Sequence, residues 1–175
     1  MPTALDRDRI DAIVQAVADR LTGDWLLIGG GLTALWLSPR RVTEDVDIVA
    51  IEGTGSDRLS LLGLASDLGL PIEALNSAAD FFVHRIEDWR AQVEPFRQGS
   101  GARIFRPSPT LFLLLKIRRL SGQDLDDCLA LLARVATDHW PLDIARVTAA
   151  LDEAPPAADS AVRDRRTRLR AALHG

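Results

Sequence analysis

The first hundred residues alternate between helical and strand-like spacing of apolar side chains. Residues 5–21 carry apolar side chains at helical intervals and are followed by Gly23, which predicts a helix that ends there. Short apolar or alternating runs predict strands at residues 24–30 (DWLLIGG), 45–51 (DVDIVAI), 80–86 (DFFVHRI) and 101–107 (GARIFRP). Between the strands, LTALWL is predicted to be a short helix stopped by Pro39, and residues 56–70 a helix with Ser56 as its candidate N-cap.

From residue 108 onward the pattern is helical. Ser108 followed by Pro109 is typical of a helix start. Three further helices are predicted in QDLDDCLALLARVA, PLDIARVTAALDEA and DSAVRDRRTRLRAAL, with a bend at EAPPAADS between the last two. The order of elements predicts an α/β (α+β) fold, in which helices flank a mixed β-sheet over residues 1–106. We expect the helical part, residues 107–175, to pack on that core as a single compact unit.

Composition limits the classes of partner. The net charge of −4 gives no general attraction for nucleic acid, so any RNA contact would need a local basic patch. Arg163, Arg166 and Arg170 share one face of the last predicted helix, which is either a solvated face or a grip on an RNA backbone. The chain has one cysteine, Cys128, and no apolar run long enough for a membrane helix. We therefore expect a cytoplasmic protein without a secretory signal or membrane contact.

Lysine usage is unusual. The chain has 21 Lys and Arg residues, and Lys116 is its single lysine. Because lysine and arginine differ in shape and hydration, this lone ammonium points weakly to a site that needs one. The alternative is a lysine whose stem covers an apolar helix face while its charge reaches water.

Two carboxylates interrupt the apolar strand at residues 45–51. Asp45 and Asp47 are two positions apart, so on a strand they share one face. Burying such charges costs several kcal/mol unless they are paired. Either they line the polar face of an edge strand, or they bind divalent cations of the kind that assist phosphoryl transfer. In both cases Val46 and Ile48 point to the core.

A glycine triplet comes shortly before these acids. Gly29, Gly30 and Gly31 join a predicted strand to a predicted helix, where the backbone can approach a ligand and helix N–H groups can bind phosphate. A turn without a ligand is one alternative. Another is a Rossmann-type dinucleotide site, since Gly29, Gly31 and Ala34 fit G-x-G-x-x-A and Glu52 follows at a suitable distance. The short helix and the acidic second strand speak against that site.

The run IGGGLTALWLSPRRVTEDVDIV resembles the minimal nucleotidyltransferases of the polymerase-β superfamily. It is most similar to the abortive-infection type IV group of toxin–antitoxin nucleotidyltransferases. The matching positions are Gly29, Gly30, Ala34, Leu35, Arg41, Thr43, Asp45 and Asp47. A second similar block is PSPTLFLLLKIRRLSGQDLDDCLAL, with Lys116, Asp124 and Asp127.

The resemblance implies a function and a set of roles. It implies transfer of a nucleoside monophosphate from an NTP, such as ATP, to an RNA (tRNA-like) or protein acceptor, with Mg²⁺ or Mn²⁺. Asp45 and Asp47 would bind the metal, the three glycines with Arg41 and Thr43 the nucleotide, and Lys116 the triphosphate or Asp127. The third carboxylate that such proteins often carry on a later strand would be Asp80, with Glu87 as second choice.

The biological role stays open between two classes of protein. The chain is expected to be either the active toxin of a toxin–antitoxin pair or an inactive member of the fold that serves as antitoxin or partner-binding module. A cognate toxin or antitoxin protein is the expected partner in both cases.

Overall fold

The computed structural model describes residues 4–53, 57–157 and 159–175, so Ser56, the candidate N-cap, lies outside the described residues. Within these ranges the fold is mixed α and β, which confirms the predicted class. The strands are β1 (Gly23–Ile28), β2 (Val46–Ala50), β3 (Leu75–Asn76), β4 (Val93–Gln98) and β5 (Ala102–Pro107). The helices are α1 (Arg7–Arg20), α2 (Gly29–Trp36), α3 (Asp57–Asp67), α4 (Asp80–Val83), α5 (Pro109–Ile117), α6 (Gly122–Asp138), α7 (Ile144–Glu153) and α8 (Ser160–His174). None of these helices combines the length and the apolar composition needed to cross a bilayer.

The chain divides into two compact units, Met1–Pro107 and Ser108–Gly175, and each is described by itself. The first unit contains a five-stranded mixed sheet in the order β3-β2-β1-β5-β4. The central strand β1 runs antiparallel to β2 and parallel to β5. On the outer sides, β3 is parallel to β2 and β4 is antiparallel to β5. The loop before β2 is tied to the N-terminal segment by a bridge between Leu5 and Thr43.

Apolar side chains of β1, β2 and α1 form the core of the first unit. Leu26 and Leu27 of β1 and Val46 and Ile48 of β2 are fully buried, the last two as the sequence predicts. Helix α1 buries Ile10, Ile13, Val14 and Val17 from the predicted stripe, and its N-terminus is capped by the side chain of Asp6.

Two parts of the predicted sheet differ from the structure. The strand predicted at residues 80–86 is wrong, because this segment forms the short helix α4 followed by turns. In its place β4, which the sequence analysis missed, pairs with β5. Pro95 and charged neighbours weaken the strand pattern of β4, yet an edge strand accepts proline, and the β4–β5 register shifts between Pro95 and Arg97.

The described residues of the second unit, 108–157 and 159–175, contain four helices with side-chain N-caps. Ser108 caps α5 with Pro109 in its first turn, as predicted. Ser121 and Asp124 form a reciprocal capping box at the start of α6. Asp143 caps α7 and Asp159 caps α8. The predicted bend between the last two helices corresponds to the connection from Glu153 to Ser160.

Candidate functional site

Strand β1 passes directly into α2 through the first glycine of the triplet. Gly29 has a φ of +69°, in the left-handed region that favours glycine. A Cβ atom at this position would overlap Oδ2 of Asp47 and lie 3.3 Å from its Cγ. No side chain caps the start of α2, since the N-cap position is Ile28. The glycine therefore lets the start of a helix lie directly against a carboxylate of the neighbouring strand.

The second glycine lies against the loop that precedes β2. A Cβ atom on Gly30 would be 2.7 Å from Oγ1 of Thr43 and 3.1 Å from Nη2 of Arg41. Gly31 differs from its neighbours: it is buried, and a Cβ atom there would meet Ile10 and Val46 at 3.6 Å, an ordinary packing distance. Gly29 and Gly30 thus border the candidate site, whereas Gly31 lies against the core.

Both acids of the Asp-x-Asp motif are half-buried. Asp47 lies within β2, paired with Ile28 at the end of β1, and Asp45 directly precedes the strand. Asp45 accepts hydrogen bonds from Oγ1 of Thr43 at 3.2 Å and from Nδ2 of Asn76 at 3.4 Å. Contacts therefore link Gly29, Gly30, Arg41, Thr43, Asp45 and Asp47 into one cluster, as the sequence analysis anticipated.

Asn76 is a member of this cluster that the sequence analysis missed. It belongs to the two-residue strand β3, which is too short to show a strand pattern, and it is paired in register with Asp47. No local sequence signal marks it, because its place beside the acids results from pairing between distant segments.

The predicted third carboxylate does not join this cluster. Asp80 begins α4 instead of a strand, and its Oδ1 lies 3.1 Å from Nδ1 of His84. Glu87 lies in an exposed turn. Among residues 4–53, 57–157 and 159–175, no three His, Cys, Asp or Glu side chains are grouped so as to hold a metal ion. The expected set of Asp45, Asp47 and Asp80 is therefore not assembled, because the strand that was to carry Asp80 is a helix.

Lys116 belongs to the second unit, where it forms a buried ion-pair cluster with α6. Its Nζ donates to Oδ2 of Asp127 at 2.7 Å and to Oδ1 of Asp124 at 3.0 Å. Arg119 donates to both carboxylate oxygens of Asp124, at 2.8 and 2.9 Å. The lysine side chain is only 10% exposed, so it does not reach water along an apolar face. The hydrogen-bonded pair expected for Lys116 and Asp127 is present.

Hydrogen bonds and charges in this cluster lower the pKa of Asp124. Burial acts to raise the pKa of Asp124, but hydrogen bonds from Arg119 and Lys116, the charge of Lys116 and the Ser121 N–H together hold it well below the usual value. Nearby Cys128 is fully buried, and this burial raises the pKa of its thiol to about 12. The aspartate is therefore an anion across the physiological range, and the cysteine is a neutral core residue.

The arginine stripe of α8 contacts the end of α7 and the connection between α7 and α8. Arg170 Nη2 lies 2.5 Å from Oδ1 of Asp152, Arg166 Nη1 donates to the carbonyl oxygen of Pro155 at 2.7 Å, and Arg163 Nη1 donates to that of Ala157 at 3.0 Å. The three side chains thus bond within the second unit, which differs from a purely solvated face, and the RNA grip stays a prediction.

The topology argues against the dinucleotide-binding alternative. A Rossmann βαβ unit needs a glycine-rich turn between two parallel strands. Here the glycines follow β1, and the next strand in the chain, β2, is its antiparallel neighbour. Glu52 lies in an exposed turn after β2.

The donor set of the cluster suits a hard divalent cation. The half-buried carboxylates of Asp45 and Asp47 offer oxygen ligands, while the Asn76 amide presents its Nδ2 group to Asp45. Comparisons with models of known protein families, with curated proteins and with solved structures found no match.

Proposed function

We propose that this protein is a nucleotidyltransferase that transfers a nucleoside monophosphate from an NTP to an acceptor hydroxyl, with Mg²⁺. One observation carries the proposal. The start of α2, formed by glycines, lies directly against the carboxylate of Asp47, and Thr43 joins Asp45 to the same cluster. A helix start suited to phosphate and a pair of acids suited to a cation are thereby adjacent, which supports binding of a metal–triphosphate substrate.

Asp45 and Asp47 are the residues that would hold the ion. Bound Mg²⁺ would neutralise phosphate charge and polarise the phosphoryl oxygens for attack. The hydrogen bond from Thr43 orients the carboxylate of Asp45. The backbone of Gly29 lies against the carboxylate of Asp47 and limits its movement. Rigid orientation of this kind matters because phosphoryl transfer depends mainly on positioning and electrostatics.

The chain offers two further groups to the triphosphate. The N-cap residue of α2, Ile28, makes no side-chain hydrogen bond, and we assign the N–H groups at the start of this helix to the phosphate oxygens. Arg41 lies beside Gly30 and supplies a positive charge at the same end of the helix. We assign phosphate binding to these groups rather than to Lys116, since two of that ammonium's three donors are directed at Asp124 and Asp127.

The proposed role of Lys116 is to hold α6 against α5. It pairs with two buried carboxylates of α6, those of Asp124 and Asp127, the first of which also bonds Arg119. RNA or protein remains the proposed acceptor class, and a cognate toxin or antitoxin the proposed partner.

The proposal is tested by transfer of label from α-phosphate-labelled NTPs to total RNA and to protein, with and without Mg²⁺. Asp45→Asn and Asp47→Asn are expected to reduce transfer by a factor of about 100 or more, a typical loss for an essential charge-stabilising group. Asp67→Asn is the matched control, because Asp67 is an exposed carboxylate of the same unit that pairs with Arg20. Undiminished transfer in the two site variants would refute the assignment.

A further inference from the structure

Asn76 lies beside the two acids of the candidate metal site in the first unit. It is the one asparagine of the chain, and it lies on β3 in register with Asp47 of β2. Its side chain reaches the other acid of the pair, with Nδ2 3.4 Å from Oδ2 of Asp45. A single amide side chain thus stands beside both acids of the candidate metal site.

The orientation of this amide is determined by its neighbours. Its Oδ1 accepts a hydrogen bond from the backbone N–H of Ala78 at 2.9 Å, so that end of the group must be the oxygen. The Nδ2 group donates to the carbonyl oxygen of Glu73 at 3.1 Å as well as to Asp45. The donor directed at the Asp45 carboxylate is therefore held in place by two further contacts.

We propose that Asn76 is the third residue of the metal site, where it positions Asp45 without adding charge; this inference rests on the proposed function. A carboxylate at position 76 would repel Asp45 at hydrogen-bond distance, so the unliganded protein would need a cation to relieve the repulsion. Because the Asn76 amide is neutral, the unliganded protein needs no cation at this position. The site keeps two anionic groups, which suits a divalent ion that arrives together with its triphosphate.

Asn76→Asp provides the direct test, with Mn²⁺ binding read from the electron paramagnetic resonance signal of the free ion. The added charge is expected to tighten Mn²⁺ binding about tenfold, because one more anion near a divalent ion contributes roughly 1–2 kcal/mol in a half-exposed site. Its thermal midpoint without metal is expected to fall, and Mn²⁺ is expected to restore it. A role in folding alone would not produce tighter binding.

Gln15→Glu is the matched control for charge. Gln15 also donates its amide to a carboxylate, Oδ2 of Asp19 at 2.9 Å, but on the surface of α1. We expect this variant to bind Mn²⁺ as the wild type does. Asn76→Ala is the second variant in case the acidic one fails to fold, and it is expected to weaken Mn²⁺ binding several-fold.

The outcomes separate this inference from the proposed function. If Asp47→Asn loses Mn²⁺ binding while both Asn76 variants bind as the wild type does, Asn76 is not part of the site and the proposed function stands. If the wild type binds no Mn²⁺ either alone or together with a non-hydrolysable NTP, but Asn76→Asp does, the geometry around Asn76 stands and the proposed function fails. If Asp47→Asn and both Asn76 variants all bind as the wild type does, both are overturned.

Discussion

Gly29→Ala tests the contact between the helix start and the acid on which the candidate site depends. A residue with a side chain at a φ of +69° costs about 1–2 kcal/mol in backbone strain. The new Cβ would also overlap Oδ2 of Asp47, and moving that side chain off its preferred rotamer adds about 0.5–1.5 kcal/mol. The free energy of unfolding of the first unit should therefore fall by about 1.5–3.5 kcal/mol.

Two further variants separate these contributions. Gly69 has a similar φ of +64°, and a Cβ atom there would meet nothing within 4 Å, so Gly69→Ala should cost only the backbone term of about 1–2 kcal/mol. In a protein that already carries Asp47→Ala, the added cost of Gly29→Ala should fall to the same value. Urea unfolding followed by tryptophan fluorescence measures these differences, since Trp25, Trp36 and Trp89 all lie in the first unit.

The reasoning is refuted by either of two results. Gly29→Ala could prove no more costly than Gly69→Ala, or its cost could be unchanged by Asp47→Ala. In both cases the close approach of Gly29 to Asp47 would contribute nothing measurable to stability.

The remaining predictions concern the second unit. Lys116→Met should lower the free energy of unfolding by about 3–5 kcal/mol in urea, because Asp124 and Asp127 lose a buried cationic partner that they share. The exposed Arg118→Ala should change it by less than about 0.5 kcal/mol. The lowered pKa of Asp124 means that the folded state binds fewer protons than the unfolded state, so stability should fall as pH drops below about 4, and Asp124→Asn should make that fall shallower. Cys128, with a pKa of about 12, should not react with a thiol reagent at pH 8 until the protein is unfolded in urea, and rapid reaction in the folded protein would contradict its burial.

Local sequence patterns were sufficient for most elements of the fold. Strands β1 and β2 are runs of apolar residues bounded by polar or glycine positions, and the helix caps at Ser108 and Asp6 use side chains within the same turn. Such signals depend on neighbouring residues alone, so they can be identified without knowledge of the tertiary structure.

The errors lie where tertiary pairing decides the conformation. Residues 80–86 have a strand-like composition, yet they have no partner strand, and Phe81 and Phe82 remain 58% and 53% exposed on a helical turn. Strand β4 is the reverse case. Its residues have only weak strand propensity, but it forms a strand because β5 provides its hydrogen bonds. A short segment cannot report whether a partner strand is available.

In the candidate site, too, some residues are marked by local sequence and others are placed only by tertiary pairing. Its glycines directly follow β1 and its Asp-x-Asp pair lies at the start of β2, so their adjacency follows from the pairing of two consecutive strands, with Ile28 opposite Asp47. Asn76 lies on a strand of two residues that joins the sheet beside β2, and no periodicity marks it. For the same reason Asp80 was assigned to a strand that does not form.

Calorimetric titration of a non-hydrolysable NTP into the protein, with and without Mg²⁺, tests the central claim most directly. We predict binding of one triphosphate that requires Mg²⁺, is lost in Asp45→Asn and Asp47→Asn, and is retained in Asp67→Asn. Triphosphate binding that is independent of Mg²⁺ and unchanged in both site variants, or no binding by the wild type, would contradict the account.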